Sequence, residues 1–234
     1  MLPDFELSCS MFDKYGITLD KDKYNKMLTY SEMLVDWNNK INLTAITEPK
    51  DILVKHFLDS VMILKYCDIP QNSSLIDVGT GAGFPSVPIK IFRPDIKLTL
   101  LDSLAKRITF LEELCKSIDA EAEFVHGRAE DIAKLPEYRD QYDFSCARAV
   151  AAMPVLSEYC IPFVKTGGSF ISMKGQNEDI SASSDAIKLL GGSIECTEDY
   201  DIESEKRRII VVKKISQTPT KYPRNSAQIK KKPL

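Results

Sequence analysis

The chain has 234 residues and a formal net charge of −3. A domain of this length buries roughly 70% of its extended-chain surface, so it needs no covalent staples. Its six cysteines lie far apart, with no CxxC pair and two histidines to join them, which excludes a zinc cluster and a disulfide framework. No apolar run reaches the roughly 18 residues of a membrane span. The opening "MLPDFELSCSMFDKYG" is mixed and acidic, unlike a signal peptide. A reduced, cytoplasmic setting without bound metal is expected.

Through residue 70 the pattern is helical. Tyr24, Met27, Leu28, Ser31, Leu34, Val35, Asn38 and Ile41 recur at helical spacing and give one mostly apolar face. "NLTAIT" breaks it, and Thr47 is a candidate cap for the next helix, with Pro49 in the first turn. There Ile52, Leu53, His56, Phe57, Ser60, Val61 and Leu64 form a second stripe. On that stripe His56 reads as a core or junction histidine before a ligand.

From residue 74 short apolar runs alternate with helical stretches. "SLIDVG" is a strand and "PSVPIKIF" a helix with Pro85 at its opening; "IKLTLLD" and "LAKRITFLEELCKSI" repeat the unit. "AEFVHG" and "YDFSCARA" are further strands, and "AAMPVLSEYCIPFV" is a helix interrupted by Pro154. "GGSFISMKG" precedes a helix near 178–190, and "GGSIECTEDYDI" with "KRRIIVVKKI" closes the pattern as a hairpin. Alternating units predict an α/β fold, a doubly wound, mostly parallel twisted sheet with an antiparallel C-terminal hairpin. Residues 1–70 are expected to pack on one side as a helical extension, leaving 71–216 as the sheet domain and 217–234 as a basic tail. Residues 205–234 hold ten Lys or Arg and one acid, Glu205, on an otherwise acidic chain. That split suits either an end facing a polyanion or a solvated, disordered tail.

In an open parallel sheet ligands bind beyond the carboxyl ends of the strands. Gly79, Gly81 and Gly83 stand there, after Asp77, and the missing Cβ atoms let a ligand approach the main chain. The spacing is GxGxG, not the dinucleotide GxGxxG, and Pro85 removes an N–H from the helix start. An uncharged or zwitterionic nucleoside fits better than a pyrophosphate. Asp102, ending the second strand, suits a ribose diol or is a plain strand-end acid. In "GRAED", Ala129 offers backbone N–H and Glu130 can line an adenine rim.

Together these residues resemble the class I S-adenosylmethionine-dependent methyltransferases, whose fold is Rossmann-like. The resemblance implies S-adenosyl-L-methionine as cofactor, with Asp77 near its amino-acid part, Gly79 and Gly81 around ribose and methionine, and Asp102 on the ribose hydroxyls. The blocks "WNNKINLTAI", "KHFLDS", "DVGTGAGFPS", "LLDSLAKRITFLEEL", "GRAED", "ARAVA" and "KYPR…KKKPL" are similar, in order and over nearly the full chain, to the bacterial ribosomal RNA small subunit methyltransferase G family, also called GidB. That resemblance implies N7-methylation of a guanine in the helix 18 loop of 16S ribosomal RNA, with the RNA or a small-subunit assembly as partner; nothing in the sequence demands a dimer, so a monomer is expected. Carried over by position, the cofactor contacts are Gly79, Phe84, Ala129, Glu130 and Arg148. Ser86 stands where family members commonly have glycine, and "NSAQI" replaces a stretch that normally carries glycine and proline.

Guanine N7 has an in-plane lone pair and no proton to lose, so no catalytic base is expected. Alignment is the main task, and it supplies roughly 7–11 kcal/mol in favourable intramolecular cases. Cys146 has no neighbour that would activate it and reads as a buried structural thiol. Arg148, past the fourth strand, can hold a cofactor carboxylate, a target phosphate or a neighbouring acid. Arg128 and Lys174 can border the same cleft. Lys106 and Arg107 read as solvated, while Arg207, Arg208, Tyr222, Arg224 and Lys230 to Lys232 are candidates for RNA backbone phosphates, with Tyr222 available for stacking. Removing residues 219–234 is expected to weaken RNA binding and spare the cofactor. A nicotinamide oxidoreductase, a noncatalytic RNA-binding module and a small-metabolite methyltransferase are the competing functions.

Overall fold

The apolar runs between residues 74 and 214 pair into one seven-stranded sheet in a computed structural model that describes residues 1–176, 180 and 183–234. The strands are β1 (Ser74–Val78), β2 (Lys97–Asp102), β3 (Ala122–His126), β4 (Tyr142–Arg148), β5 (Val164–Gly175), β6 (Gly192–Ile202) and β7 (Glu205–Lys214). Their order is β3-β2-β1-β4-β5-β7-β6. β1 to β5 are mutually parallel, and β7 and β6 add antiparallel at the edge. The chain winds outward from β1 to β3, then restarts on the other side of β1 at β4. A crevice opens beyond the strand ends at such a reversal.

Side chains alternate across the sheet, so each strand feeds two cores. Leu75 joins one with Met27, Leu34, Phe57, Leu100 and Phe110. Ile76 and Val78 join the other with Leu156, Phe163, Phe170 and Ile210. The N-terminal helices thus share the first core with the sheet and cover that face. Helix Lys21–Ile41 starts where the Asp20 carboxylate accepts the Lys23 N–H at 2.9 Å, and stops at Asn42 in the left-handed region.

Residues 49–66 form a broken helix whose central turn, Ile52–Leu58, is π-helical. Its cap position is Glu48, not Thr47. Pro154 lies in the first turn of helix Met153–Cys160, where a missing N–H is harmless, so it opens that helix instead of interrupting it. The helix expected near 178–190 runs Ser184–Leu189; positions 178, 179, 181 and 182 lie outside the described residues.

The last segment departs furthest from expectation. Arg139 donates to the Thr218 carbonyl at 2.7 Å and to that of Tyr222 at 2.9 Å. Arg224 grips the buried Glu158, and Ile229 is fully buried beneath helix Ser226–Lys231. Residues 217–234 are docked on the body. Among the described residues no helix is long and apolar enough to cross a membrane, and none forms a His/Cys/Asp/Glu group suited to a metal.

Candidate functional site

β1, β2 and β3 end level with one another: Val78 pairs with Leu101 and Asp102 with His126. The loops after them therefore share one rim. Gly79 and Thr80 donate their N–H groups to the Leu101 carbonyl at 2.8 and 3.1 Å, and Gly81 donates to Asp102 Oδ2 at 3.0 Å. The glycine turn and the acid of β2 are thus bonded directly. Gly83 takes φ +96°, and a Cβ there would lie 2.7 Å from the Tyr30 hydroxyl and 2.8 Å from Val87.

Asp77 does not reach the rim. It is fully buried beneath the turn, where Oδ2 accepts from Thr80 Oγ1 at 2.8 Å and Ser86 Oγ at 2.5 Å. It ties the start of the turn to its end, so its expected place beside the cofactor's amino-acid part is corrected to a place under the loop. The serine that departs from the family pattern is its partner. Burial pushes the Asp77 carboxyl up to about 6, against the pull of the two hydroxyls and Arg148. Phe84 is also turned inward: its ring stacks on Tyr30 at 5.0 Å and His56 at 4.4 Å, so any cofactor contact there would come from the loop it anchors.

Beyond β1–β3 lies a cavity of about 210 Å³ walled by Gly79, Asp102, Gly127, Ala129, Glu130 and Val150, with Arg128 exposed at its edge. Asp102 accepts from Gly81, from Leu104 N–H at 2.9 Å and from Arg107 at 3.3 Å. Arg107 is therefore paired, not merely solvated. A carboxylate has about four acceptor sites, so with three taken one remains for a ribose hydroxyl. Glu130 is 4% exposed and its Oε1 has no partner among the described residues. Leaving such an atom unpaired costs about 1–3 kcal/mol, which a ligand N–H or O–H would relieve. These features fit the adenosine part of a nucleoside cofactor.

A second cavity, about 340 Å³, opens past β4 and β5 and is lined by Lys55, His56, Asp59, Arg148, Lys174 and Arg207. Arg148 Nη1 donates to Asp59 Oδ2 and to the Lys55 carbonyl, both at 3.1 Å, and Nη2 to His56 Nδ1 at 3.1 Å. His56 Nδ1 is then an acceptor, and Nε2–H donates to Thr44 Oγ1 at 2.8 Å. Burial, then Arg148, lowers the imidazole to about 3, so it is neutral and both nitrogens are engaged. Asp59 is buried and also accepts from Tyr200 at 2.8 Å, with Arg207 at 3.7 Å. Lys174 donates to the Ala151 carbonyl. Burial pushes the Cys146 thiol up, consistent with an inert side chain.

Consecutive residues line the two cavities, Arg148 and Ala149 the second and Val150 the first. Ala149 sits at φ +57°, a conformation that costs a non-glycine residue roughly 1–2 kcal/mol, and Val150 lies against Gly79. Strain of this kind gathers at functional sites. A roomier cavity of about 560 Å³, lined by Asp143 and Lys165, lies at the amino ends of the strands, away from the loops that bear ligands.

Tyr222 and Arg224 do not face outward as expected. Tyr222 is buried in the second core, so its ring cannot stack on a base. Arg224 Nε and Nη2 hold Glu158 at 2.9 and 2.6 Å, an internal pair that leaves no fork for phosphate. Sequence reasoning missed Asp59 and the second-cavity role of His56, although both lie in the quoted "KHFLDS" block. An acid on an apolar stripe was the available signal, since a buried carboxylate needs a cationic partner.

The fold and its rim define the class. Class I S-adenosylmethionine-dependent methyltransferases have this sheet; a SAM-dependent methyltransferase from Aquifex aeolicus covers 70% of this chain and 93% of its own at TM-score 0.53 and 15% identity, a likeness of fold. The chain is a methyltransferase of that class, with S-adenosylmethionine as cofactor. The family model for rRNA small subunit methyltransferase G (GidB) matches residues 23–217. Proteins called Ribosomal RNA small subunit methyltransferase G from Clostridium kluyveri and Acetivibrio thermocellus are 46% identical over 233 residues and 49% over 226. These alignments cover 98% of this chain and 98% of the first relative, and 94% of this chain and 92% of the second. The chain belongs to the rRNA small subunit methyltransferase G family.

Proposed function

We propose that this chain transfers a methyl group to N7 of a guanine in 16S ribosomal RNA, in the helix 18 loop, acting as a cytoplasmic monomer on the RNA or a small-subunit assembly. The observation that carries the reading is that consecutive residues line the two cavities, Arg148 and Ala149 the one and Val150 the other. One holds groups for a nucleoside, and the other is a mixed-charge recess in which Arg148 and Arg207 are held by Asp59 and Glu205, suited to a polar base turned inward.

When bound, S-adenosylmethionine supplies an electrophilic methyl on a sulfonium. Gly79, Gly81, Ala129, Glu130 and Asp102 would hold it, Gly81 chiefly by fixing Asp102. N7 needs no deprotonation, and His56 at the second cavity is not a poised base, being neutral with both ring nitrogens bonded. Asp59 and Tyr200 hold Arg148 and Arg207 in place, so the chain aligns and excludes water. Arg128, exposed at the edge of the first cavity, would meet the RNA backbone.

The test compares 16S ribosomal RNA from cells with and without the gene. Borohydride reduction followed by aniline cleaves at N7-methylguanine, and one such break should vanish on deletion and return with the purified enzyme. A methyl appearing on another atom, or in another RNA, would overturn the assignment.

A further inference from the structure

Residues 217–234 read as a charged arm in the sequence, yet the structure builds them into the adenosine-sized cavity. Ser226 and Lys230, one turn apart on helix Ser226–Lys231, stand on its wall with Glu130 and Tyr159. Residues four apart share a helix face. Ala227 and Lys231, one position further on, are exposed and lie off that wall.

This helix is firmly held. Arg224, two residues before it, makes four hydrogen bonds to the carboxylate of Glu158, from its N–H at 2.8 Å and from its guanidinium. Glu158 is fully buried and adjoins Tyr159, another residue of the wall. Asn225 and Gln228 close a capping box on the first turn, and Ile229 fills the core below. An arm that only trails lysines along RNA needs none of these contacts. A wall needs all of them.

We propose that this helix is part of the cofactor site, with Ser226 and Lys230 touching the adenosine end of the bound cofactor. Adenosine presents ring nitrogens and ribose oxygens as acceptors, and an amino group and hydroxyls as donors. Lys230 and Ser226 supply donors to the cavity, and the unpartnered Oε1 of buried Glu130 supplies an acceptor. The C-terminal segment therefore serves methyl-donor binding as well as the RNA side of the enzyme, the reverse of the expectation that its removal spares the cofactor. The inference rests on the cofactor lying in this cavity and is independent of which base is methylated.

The experiment titrates full-length protein with S-adenosylhomocysteine by calorimetry, with thermal unfolding measured alongside. Lys230→Ala and Lys231→Ala remove the same charge from the same helix, while Ser226→Tyr and Ala227→Tyr add the same bulk. Lys230→Ala should weaken binding roughly three- to tenfold, and Ser226→Tyr by about tenfold or more. Lys231→Ala and Ala227→Tyr should stay within about twofold, and the Lys230 and Lys231 variants should unfold at the same temperature. If Lys230→Ala and Ser226→Tyr bind like the parent while Asp102→Ala binds more weakly, the cofactor occupies the cavity without reaching the helix, and this proposal alone falls. If Asp102→Ala also binds normally, the cofactor lies elsewhere and the site assignment falls with it. Should Ser226→Tyr not fold, the two lysine variants decide.

Discussion

Replacing Asp77 by asparagine removes the carboxyl beneath the glycine turn and leaves its shape. Burial raises that carboxyl from 3.8 to about 6, so the folded chain holds the proton more tightly than the unfolded chain. The protonated acid therefore favours the fold at low pH, and that advantage is lost as pH rises from 3.8 through about 6. The full gap corresponds to about 3 kcal/mol, of which about 1.4 kcal/mol is lost between pH 5 and pH 7.5. Asparagine does not titrate. Whatever its fixed cost, which includes an amide placed where Oδ1 has no partner, its stability relative to the parent should improve by that 1.4 kcal/mol on going from pH 5 to pH 7.5. Urea unfolding followed by the single tryptophan, Trp37, which packs on Phe110 in the first core, measures it. Ser86→Ala removes a 2.5 Å donor to the charged form and should steepen the parent profile. Parallel profiles for Asp77→Asn and the parent would refute the reasoning, by showing that Thr80 and Ser86 outweigh burial.

Arg224→Ala strands the buried Glu158 carboxylate and should cost about 3–5 kcal/mol, read as a thermal midpoint lowered by more than about 6 °C; a loss below about 1 kcal/mol would show the pair to be incidental. Gly83→Ala, forced to φ +96° with its Cβ against the Tyr30 hydroxyl and Val87, should destabilise by more than about 1 kcal/mol, whereas the same change at Gly16, also at positive φ but with nothing within 4 Å, should cost less; denaturant midpoints compare the two. Ending the chain at residue 218 should lower both the unfolding midpoint and the affinity for S-adenosylhomocysteine, and should reduce the salt slope of RNA binding by about 0.7 per lost phosphate contact. An unchanged midpoint in that truncation would mean the segment is not docked in solution.

The strand pattern was legible because short apolar runs and β/α alternation are local properties. "SLIDVG", "IKLTLLD" and "YDFSCARA" fall on β1, β2 and β4, and the position of the glycine turn follows from them. Asp102 was legible for the same reason, since it ends its strand. Asp77 was misplaced because strand alternation was not applied to it: Ile76 and Val78 feed one core, so Asp77 points to the other side, below the turn. The second cavity was invisible because Arg148 meets His56 and Asp59 across about 90 residues of chain, through a π-helical turn that no 3.6-residue template anticipates.

The C-terminal charge shows most plainly what a residue count leaves out. From residues 205–234, Arg207 lies beside Asp59 and pairs with Glu205, Arg208 pairs with Asp199, Lys214 with Asp140 and Arg224 with Glu158. Each pairing removes a cation from any field that an approaching polyanion would feel, because a neutralised pair projects only a dipole. Lys214 and Arg224 find acids 74 and 66 residues away, distances at which sequence proximity gives no warning. A strongly basic run thus divides into cations that fasten the chain to itself, Lys214 and the arginines, and exposed lysines such as Lys230 to Lys232. Within residues 217–234 Arg224 fixes where Lys230 to Lys232 stand, so on the proposed reading one segment would serve both the approach of RNA and the cofactor wall. A mutation scan scored only by RNA affinity would merge these roles; scored also by unfolding temperature, it should separate Arg224 from the lysines.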